Sequence, residues 1–353
     1  MPLIDMVLNL QNIIDMPPEE PKSLYAASCA GDDITVKTWE STWKQYCKVN
    51  AESSNKFENT VMSIAGSEDK KPVIVALSGP SLKKNYMYLK DHETPDIQGN
   101  IQKFHGRGDT KIVSCFHNFN FFEDNDIMTK DDFYVTLDSG EICLKELYEG
   151  GAHDPEWYWD RTADRTLVAY TGTSPELIKR WKGKILWFTT APQSESLSVF
   201  YKDYIDYEKI PCFNVGGTVA GAALYMARAI LGGSIMIFIG ADFCFSYNHK
   251  FHAWDSNYDM KFSGVIPWVD IYGNRVWTWP SYLGFKKWFD FQACGGLGGN
   301  QHLFINCSEG GCFGSYPNGN IKQVMQMELK TAMHMFSISK RFPESLHNHN
   351  LMF

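Results

Sequence analysis

The run Ile235-Met236-Ile237-Phe238-Ile239-Gly240-Ala241-Asp242 decides the fold. Its five leading residues are apolar without alternation, so neither side of the segment is built to face water. That is the signature of a parallel strand covered by helices on both faces. Six more short runs read as strands: Val73–Leu77, Ile112–Phe116, Phe133–Leu137, Thr166–Tyr170, Ile185–Phe188 and Leu303–Asn306. Helical or polar stretches separate them. The alternation predicts an α/β fold: a Rossmann-like, doubly wound, mostly parallel sheet with helices on both faces.

The flanks read differently. Residues 1–70 are expected to form an N-terminal helical extension, because Trp39, Trp43, Tyr46, Val49 and Phe57 recur among charges and imply helices with one sticky face. Such a face would pack on the sheet domain or on a second copy of the chain. Residues 71–316 make the sheet domain. Apolar positions 321, 324, 325, 329, 332, 333 and 336 predict a C-terminal helix within 317–340, followed by a tail at 341–353.

Composition narrows the function. With 33 basic and 41 acidic residues the net charge is −8, so a whole-chain electrostatic grip on nucleic acid is not expected, although a local basic patch is not excluded. No apolar run approaches the ~20 residues that span a bilayer, so no membrane partner is expected. No secretory leader is visible at Met1-Pro2-Leu3-Ile4-Asp5, which predicts a cytoplasmic protein. The nine cysteines are scattered without a C-x-x-C pair, against a structural zinc site or a disulfide frame. Five of the 11 tryptophans fall between Trp254 and Trp288, as a block of core or a wall for a ligand to stack on.

In an open α/β sheet, ligands bind beyond the carboxyl ends of the strands. Here those ends carry small, hydroxyl, amide or acidic residues. Ser78-Gly79-Pro80-Ser81 follows the first strand and His117-Asn118 the second. Asp138 follows the third, Thr190 closes Ile185–Phe188, and Asp242 follows Ile235–Ile239. Asn306, Ser308, Glu309 and Gly310 end the last. Asn214-Val215-Gly216-Gly217-Thr218 precedes a helix-like run, Val219 to Leu231, with Thr218 placed to cap it. A glycine pair there can admit phosphate or a nucleotide ring against bare backbone, or can simply allow close helix–sheet packing. Ser78-Gly79-Pro80-Ser81 serves equally as a phosphate turn or an ordinary tight turn. Asp138 and Asp242 can hold a divalent metal or sugar hydroxyls, or cap local turns. His252 is the candidate general base, weighed against an ordinary surface histidine.

These pieces together resemble the MptE-like domain family, which includes archaeal 6-hydroxymethylpterin diphosphokinase and the bacterial motility-accessory-factor (Maf) glycosyltransferases. The resemblance rests on Ser78-Gly79-Pro80-Ser81-Leu82, Phe133-Tyr134-Val135-Thr136-Leu137-Asp138, Gly216-Gly217-Thr218-Val219-Ala220, and Ile237-Phe238-Ile239-Gly240-Ala241-Asp242-Phe243. His252-Ala253, Asp270-Ile271-Tyr272-Gly273-Asn274 and Asn306-Cys307-Ser308-Glu309-Gly310-Gly311 complete the ordered set, from about Pro72 to about Gly314. Thr218 stands where the family commonly has serine, Ala241 where glutamine is frequent, and Cys307-Ser308 where Ala-Thr is usual.

The resemblance implies a sheet domain similar to that of the bacterial sialyltransferases and a nucleotide-binding transferase. Gly79, Pro80, Ser81, Gly216, Gly217 and Thr218 would cradle phosphate and nucleotide. Asp138 and Asp242 would hold ribose, sugar or a metal such as Mg²⁺. Ser308, Glu309 and Gly310 would complete the donor pocket. No covalently bound cofactor is implied; a nucleotide-sugar donor, or ATP, enters as substrate. A diphosphokinase must neutralise triphosphate charge, and the expected cations are few: Lys83, Lys84, Arg228 and Lys250, with Arg275 and Lys286 as further candidates. Sparse cations and abundant tryptophan lean toward glycosyl transfer onto a protein or small-molecule hydroxyl. Mg-ATP-dependent diphosphate transfer to a pterin-like alcohol is the alternative, and an inactive binding or assembly module, docking through the N-terminal helices as a homo-oligomer, is another.

Overall fold

The structure is a computed structural model that describes residues 13–14, 32–95, 98–246, 250, 253, 264–296 and 302–337. Its centre is a nine-stranded, all-parallel sheet. In chain order the strands are β1 (Pro72–Ala76), β2 (Ile112–Cys115), β3 (Phe133–Thr136), β4 (Thr166–Tyr170), β5 (Lys184–Thr190), β6 (Cys212–Phe213), β7 (Ile235–Ile239), β8 (Leu303–Asn306) and β9 (Val324–Gln326). Their order across the sheet is β9-β8-β7-β1-β2-β3-β4-β5-β6. The chain winds outward from β1 to β6 and returns to β7 on the other flank of β1. The reversal puts the topological switch point between β1 and β7, where Ile235 to Ile239 run in register with Pro72 to Ala76.

All seven expected strands are present. Period-two alternation sends their side chains into two cores, one per face: Ile74, Ala76, Ile237 and Ile239 on one side, Val73, Val75, Met236 and Phe238 on the other. Burying each of these Val, Ile, Met and Phe side chains contributes roughly 1.5–3 kcal/mol, which explains why strands without a wet face form the centre of the sheet. The edge strands β6 and β9 were not expected. Strand β9 also corrects the start of the predicted C-terminal helix: its alternating buried, half-buried, buried pattern pairs with β8, and among the described residues the helix occupies Leu329–Ser337.

Six helices bear on the site. They are α1 (Asp32–Ser53), α2 (Ile142–Glu146), α3 (Glu195–Tyr204), α4 (Val219–Tyr225, continued by one π-turn through Ile230), α5 (Pro280–Phe291) and α6 (Leu329–Ser337). Helix α1 is docked on the sheet domain. Asn50 Nδ2 donates to the carbonyls of Thr171 (3.1 Å) and Thr173 (2.8 Å), Lys44 Nζ donates to Ser196 Oγ of α3, and Cys47 is fully buried. Among the described residues, no helix is long and apolar enough to cross a membrane.

Candidate functional site

The ends of β1 and β7 are stitched together before either loop departs. Leu77 N–H donates to Ile239 O (2.9 Å) and Gly79 N–H to Gly240 O (2.9 Å). The next turn closes on Asp242, whose Oδ2 accepts from Ser81 N–H at 2.9 Å. Gly79 has to be glycine, because a Cβ there would collide with the Asp242 carboxylate and the Gly240 carbonyl. Asp242 is thus buried at the switch point. Loss of water raises its carboxyl to about 6, against the opposing effects of the Ser81 hydrogen bonds and the Lys84 charge.

Three cavities lie side by side along this edge. The central one, about 430 Å³, is bounded by Ser78, Gly79, His117, Asp138, Gly217, Thr218 and Asp242. A second, about 370 Å³, continues past Asp242 and takes in Pro80, Ser81, Lys83, Lys84, Lys250, Glu309 and Gly310. The third, about 300 Å³, opens on the other flank and shares Asp138 and Gly217 with the central cavity. The single polar site expected from the strand ends is therefore a row of compartments, with Asp242 at one partition and Asp138 with Gly217 at the other.

Local sequence explains the central walls. Thr218 caps α4 as expected, its Oγ1 accepting from Ala220 N–H at 3.4 Å. Gly217 takes φ +79°, a left-handed conformation that strains any other residue, and brings bare backbone to the cavity. Gly216 does not line it: a Cβ there would strike the Trp288 indole, so this glycine serves packing. Trp279, Tyr282 and Phe285, spaced by three residues along the start of α5, form the aromatic wall. The tryptophan-rich stretch is both core and wall, since Trp288 is buried while Trp279 faces the cavity.

The strand-end reading names His117 without giving it a role. Its Nδ1 meets Glu146 Oε2 of α2 at 2.8 Å, and both residues line the central cavity. Burial alone would lower the imidazole pKa, but the Glu146 hydrogen bond and the charges of Glu146 and Asp138 outweigh it, and the net shift is upward. Asp138 keeps an exposed face. Even so, the desolvating wall and the negative charge of Glu146 push its carboxyl up to about 6, against the pull of His117. A carboxyl and an imidazole on one wall, both shifted upward by their surroundings, are the kind of pair that proton transfer uses.

Other expected site residues are placed elsewhere. Asn118 is buried under β1, donating to Ala76 O, Leu77 O and Ser114 Oγ. Asn306 Nδ2 donates to Gln326 Oε1 at 2.8 Å, and its Oδ1 accepts from Ser308 N–H. Ser308 Oγ accepts from Ala241 N–H at 2.8 Å. These three support the loops from beneath and line none of the cavities. Thr190 lines the third cavity. Glu309 lines the lysine-bearing one while accepting from Asn85 Nδ2 and Leu329 N–H. His252 lies outside the described residues; its neighbour Ala253 donates its N–H to Ser78 O at 3.2 Å.

The expected metal pair is not what converges. Asp138, Cys143 and Glu146 have ligand atoms within 4.8 Å of one another, and Asp242 is not among them. This set suits Mg²⁺ poorly, since Mg²⁺ takes oxygen ligands. Burial holds the Cys143 thiol well above its ordinary pKa, and Glu146 is engaged by His117. Of the expected cations, Lys286 is unavailable to a ligand: it is fully buried, paired to Asp290 at 2.6 Å and donating to Ser315 O. Arg275 stacks on Trp277, and Arg228 is buried in the π-turn after α4.

The family model described as 6-hydroxymethylpterin diphosphokinase MptE-like matches residues 42–248, more than half of the chain. The chain belongs to the MptE-like family. The match starts inside α1 and closes just after Asp242, so β1 to β7 and both walls of the switch point are family structure. Among solved structures, the chain is similar to a Maf glycosyltransferase from Magnetospirillum magneticum AMB-1, with 15% sequence identity and a TM-score of 0.49. The likeness covers 81% of this chain and 41% of that one, so the chain spans less than half the length of that protein. No curated protein matches.

Proposed function

We propose that this MptE-like protein is a nucleotide-dependent transferase that moves a sugar from a nucleotide-activated donor to a hydroxyl acceptor. One observation carries the reading: His117, held by Glu146, and Asp138 share one cavity with the bare Gly217-Thr218 turn and an aromatic wall. Donor phosphate would lie against Gly217 and Thr218. His117, kept protonated by Glu146, would give its proton to the departing phosphate oxygen. Asp138 would take the proton from the attacking hydroxyl. The central cavity has no lysine or arginine among its described lining residues, which supports a donor with little charge to neutralise.

A second reading has its own support. Lys83, Lys84 and Lys250 gather in the neighbouring cavity beside Asp242, where they could hold the extra phosphates of ATP for diphosphate transfer. Incubation with CMP-, UDP- and GDP-sugars, and separately with ATP and Mg²⁺, separates the two. The glycosyl-transfer reading expects nucleotide release from one sugar donor and no AMP from ATP. AMP formation with no turnover of any sugar donor would overturn it.

A further inference from the structure

The third cavity shares Asp138 and Gly217 with the central one, but the rest of its lining differs in chemistry from that of its neighbours. It lies between α1 and the ends of β3, β4 and β5. Trp39 and Trp43 of α1 form one side, Thr190 and Gln193 the β5 side, and Ser139 the floor beside Asp138. Its volume of about 300 Å³ is at the small end of ligand pockets. Asp138 is the one charged group among its described lining residues, and it stands at the partition with the central cavity. A phosphate or another anion would find no counter-charge here.

Ser139 supplies an independent sign of a ligand. It is only 5% exposed, and its Oγ has no hydrogen-bond partner among the described residues. A buried hydroxyl left unsatisfied is unfavourable; this one is closed off from the cavity that Ser139 lines, and rotation about χ1 would turn it toward a ligand able to supply the missing partner. Trp39 is the reverse case, a large aromatic left 38% exposed at the same cavity. Flat apolar surface, hydroxyl and amide groups and near neutrality together match a ring with one apolar face and a hydroxylated edge.

We infer that this cavity binds a neutral pyranose of the acceptor, so that the acceptor of the proposed transfer is a saccharide. The inference rests on the glycosyl-transfer reading for the acceptor role and on the cavity itself for the sugar. A ring lying against Trp39, with a hydroxyl satisfying Ser139, would present another hydroxyl toward Asp138. The attacking oxygen would form the new bond to the donor's anomeric carbon as the bond to the nucleotide phosphate breaks. Its proton would pass to Asp138, and the nucleotide would leave with its phosphate. Trp39 precedes the segment matched by the family model and Trp43 falls inside it, so this wall is only in part sequence within that match.

Saturation-transfer NMR with methyl glucoside, galactoside, mannoside and N-acetylglucosaminide, with and without CMP, UDP or GDP, tests the inference on the full chain. At least one pyranoside should bind. Trp39→Ala and Ser139→Ala should each weaken it about tenfold or more while leaving any nucleotide binding unchanged, and Ser139→Ala should not lower the melting temperature. Free nucleotide should not displace it. Pyranoside binding that needs Trp39 and Ser139 in a protein that binds no nucleotide would uphold the sugar site and sink the donor reading alone. Nucleotide binding without any pyranoside signal, or a signal indifferent to both substitutions, would overturn the inference. Displacement by a nucleotide-sugar but not by the nucleotide would also overturn it, by assigning the cavity to the donor's sugar.

Discussion

The two cavities that meet at Asp242 are formed by the same kind of loop and do opposite things with charge. On the β2–β3 side, His117, Glu146 and Asp138 are tuned by each other and by burial, without a lysine or arginine among the described lining residues. On the β8 side, Lys83, Lys84 and Lys250 stand around Glu309 and the glycine turn. One side gathers titrating groups and the other lysines, and a single buried carboxylate stands between them.

The sharpest break should come from His117→Ala. Loss of a positioned acid costs about 10²–10⁴-fold in turnover, with nucleotide affinity kept; steady-state kinetics beside calorimetry would show this. Unchanged kcat would remove the proton-transfer role from the β2–β3 side. In the active protein, the profile of kcat against pH should be bell-shaped, rising near pH 6 as Asp138 ionises and falling above 6.5 as His117 loses its proton.

Asp242→Asn tests the partition. The fold raises this carboxyl from 3.8 to about 6, so the native state favours its protonated form. The stability it contributes is complete below the unfolded value and is lost as pH rises through about 6. A shift of roughly two units corresponds to at most about 3 kcal/mol. Denaturant titrations across that range should show wild-type stability falling relative to the asparagine variant, and parallel curves would contradict the burial argument. Gly79→Ala should cost about 1–3 kcal/mol by overpacking and disturb both cavities at once, read as a lower midpoint of unfolding.

The smallest effect is expected from Lys83→Ala with Lys84→Ala. Binding of ATP should weaken several-fold, more so at low salt, while a nucleoside monophosphate is unaffected. Equal loss for both ligands would mean that the two sides do not divide the work.

How legible this was depended on range. The central strands could be read because Ile235 to Ile239 and Val73 to Leu77 are apolar on both faces, a property of consecutive residues. Cys212–Phe213 and Val324–Gln326 carry too few residues to show a period, and β9 was absorbed into an apparent helix. Asp138, Asp242, Gly217 and Thr218 reach cavities because they directly follow strands or open α4. Asn118, Asn306 and Ser308 have equally suitable types and positions, but their side chains turn back to hold neighbouring loops. His117 was visible as a strand-end residue, yet its importance comes from Glu146 on another element. Lys286 illustrates the converse: its charge was countable in the sequence, but its burial against Asp290 was not.

Calorimetric titration of the wild-type protein and of Gly217→Val with CMP, UDP, GDP, ADP and ATP, each with and without Mg²⁺, tests the central claim most directly. Wild-type protein should bind a nucleotide saturably. The variant should remain folded and bind it far more weakly, because a branched side chain is forced into a left-handed turn at the cavity wall. Absence of nucleotide binding by the wild type, or equal affinity in both proteins, would contradict the account and leave an MptE-like fold used as a binding or assembly module.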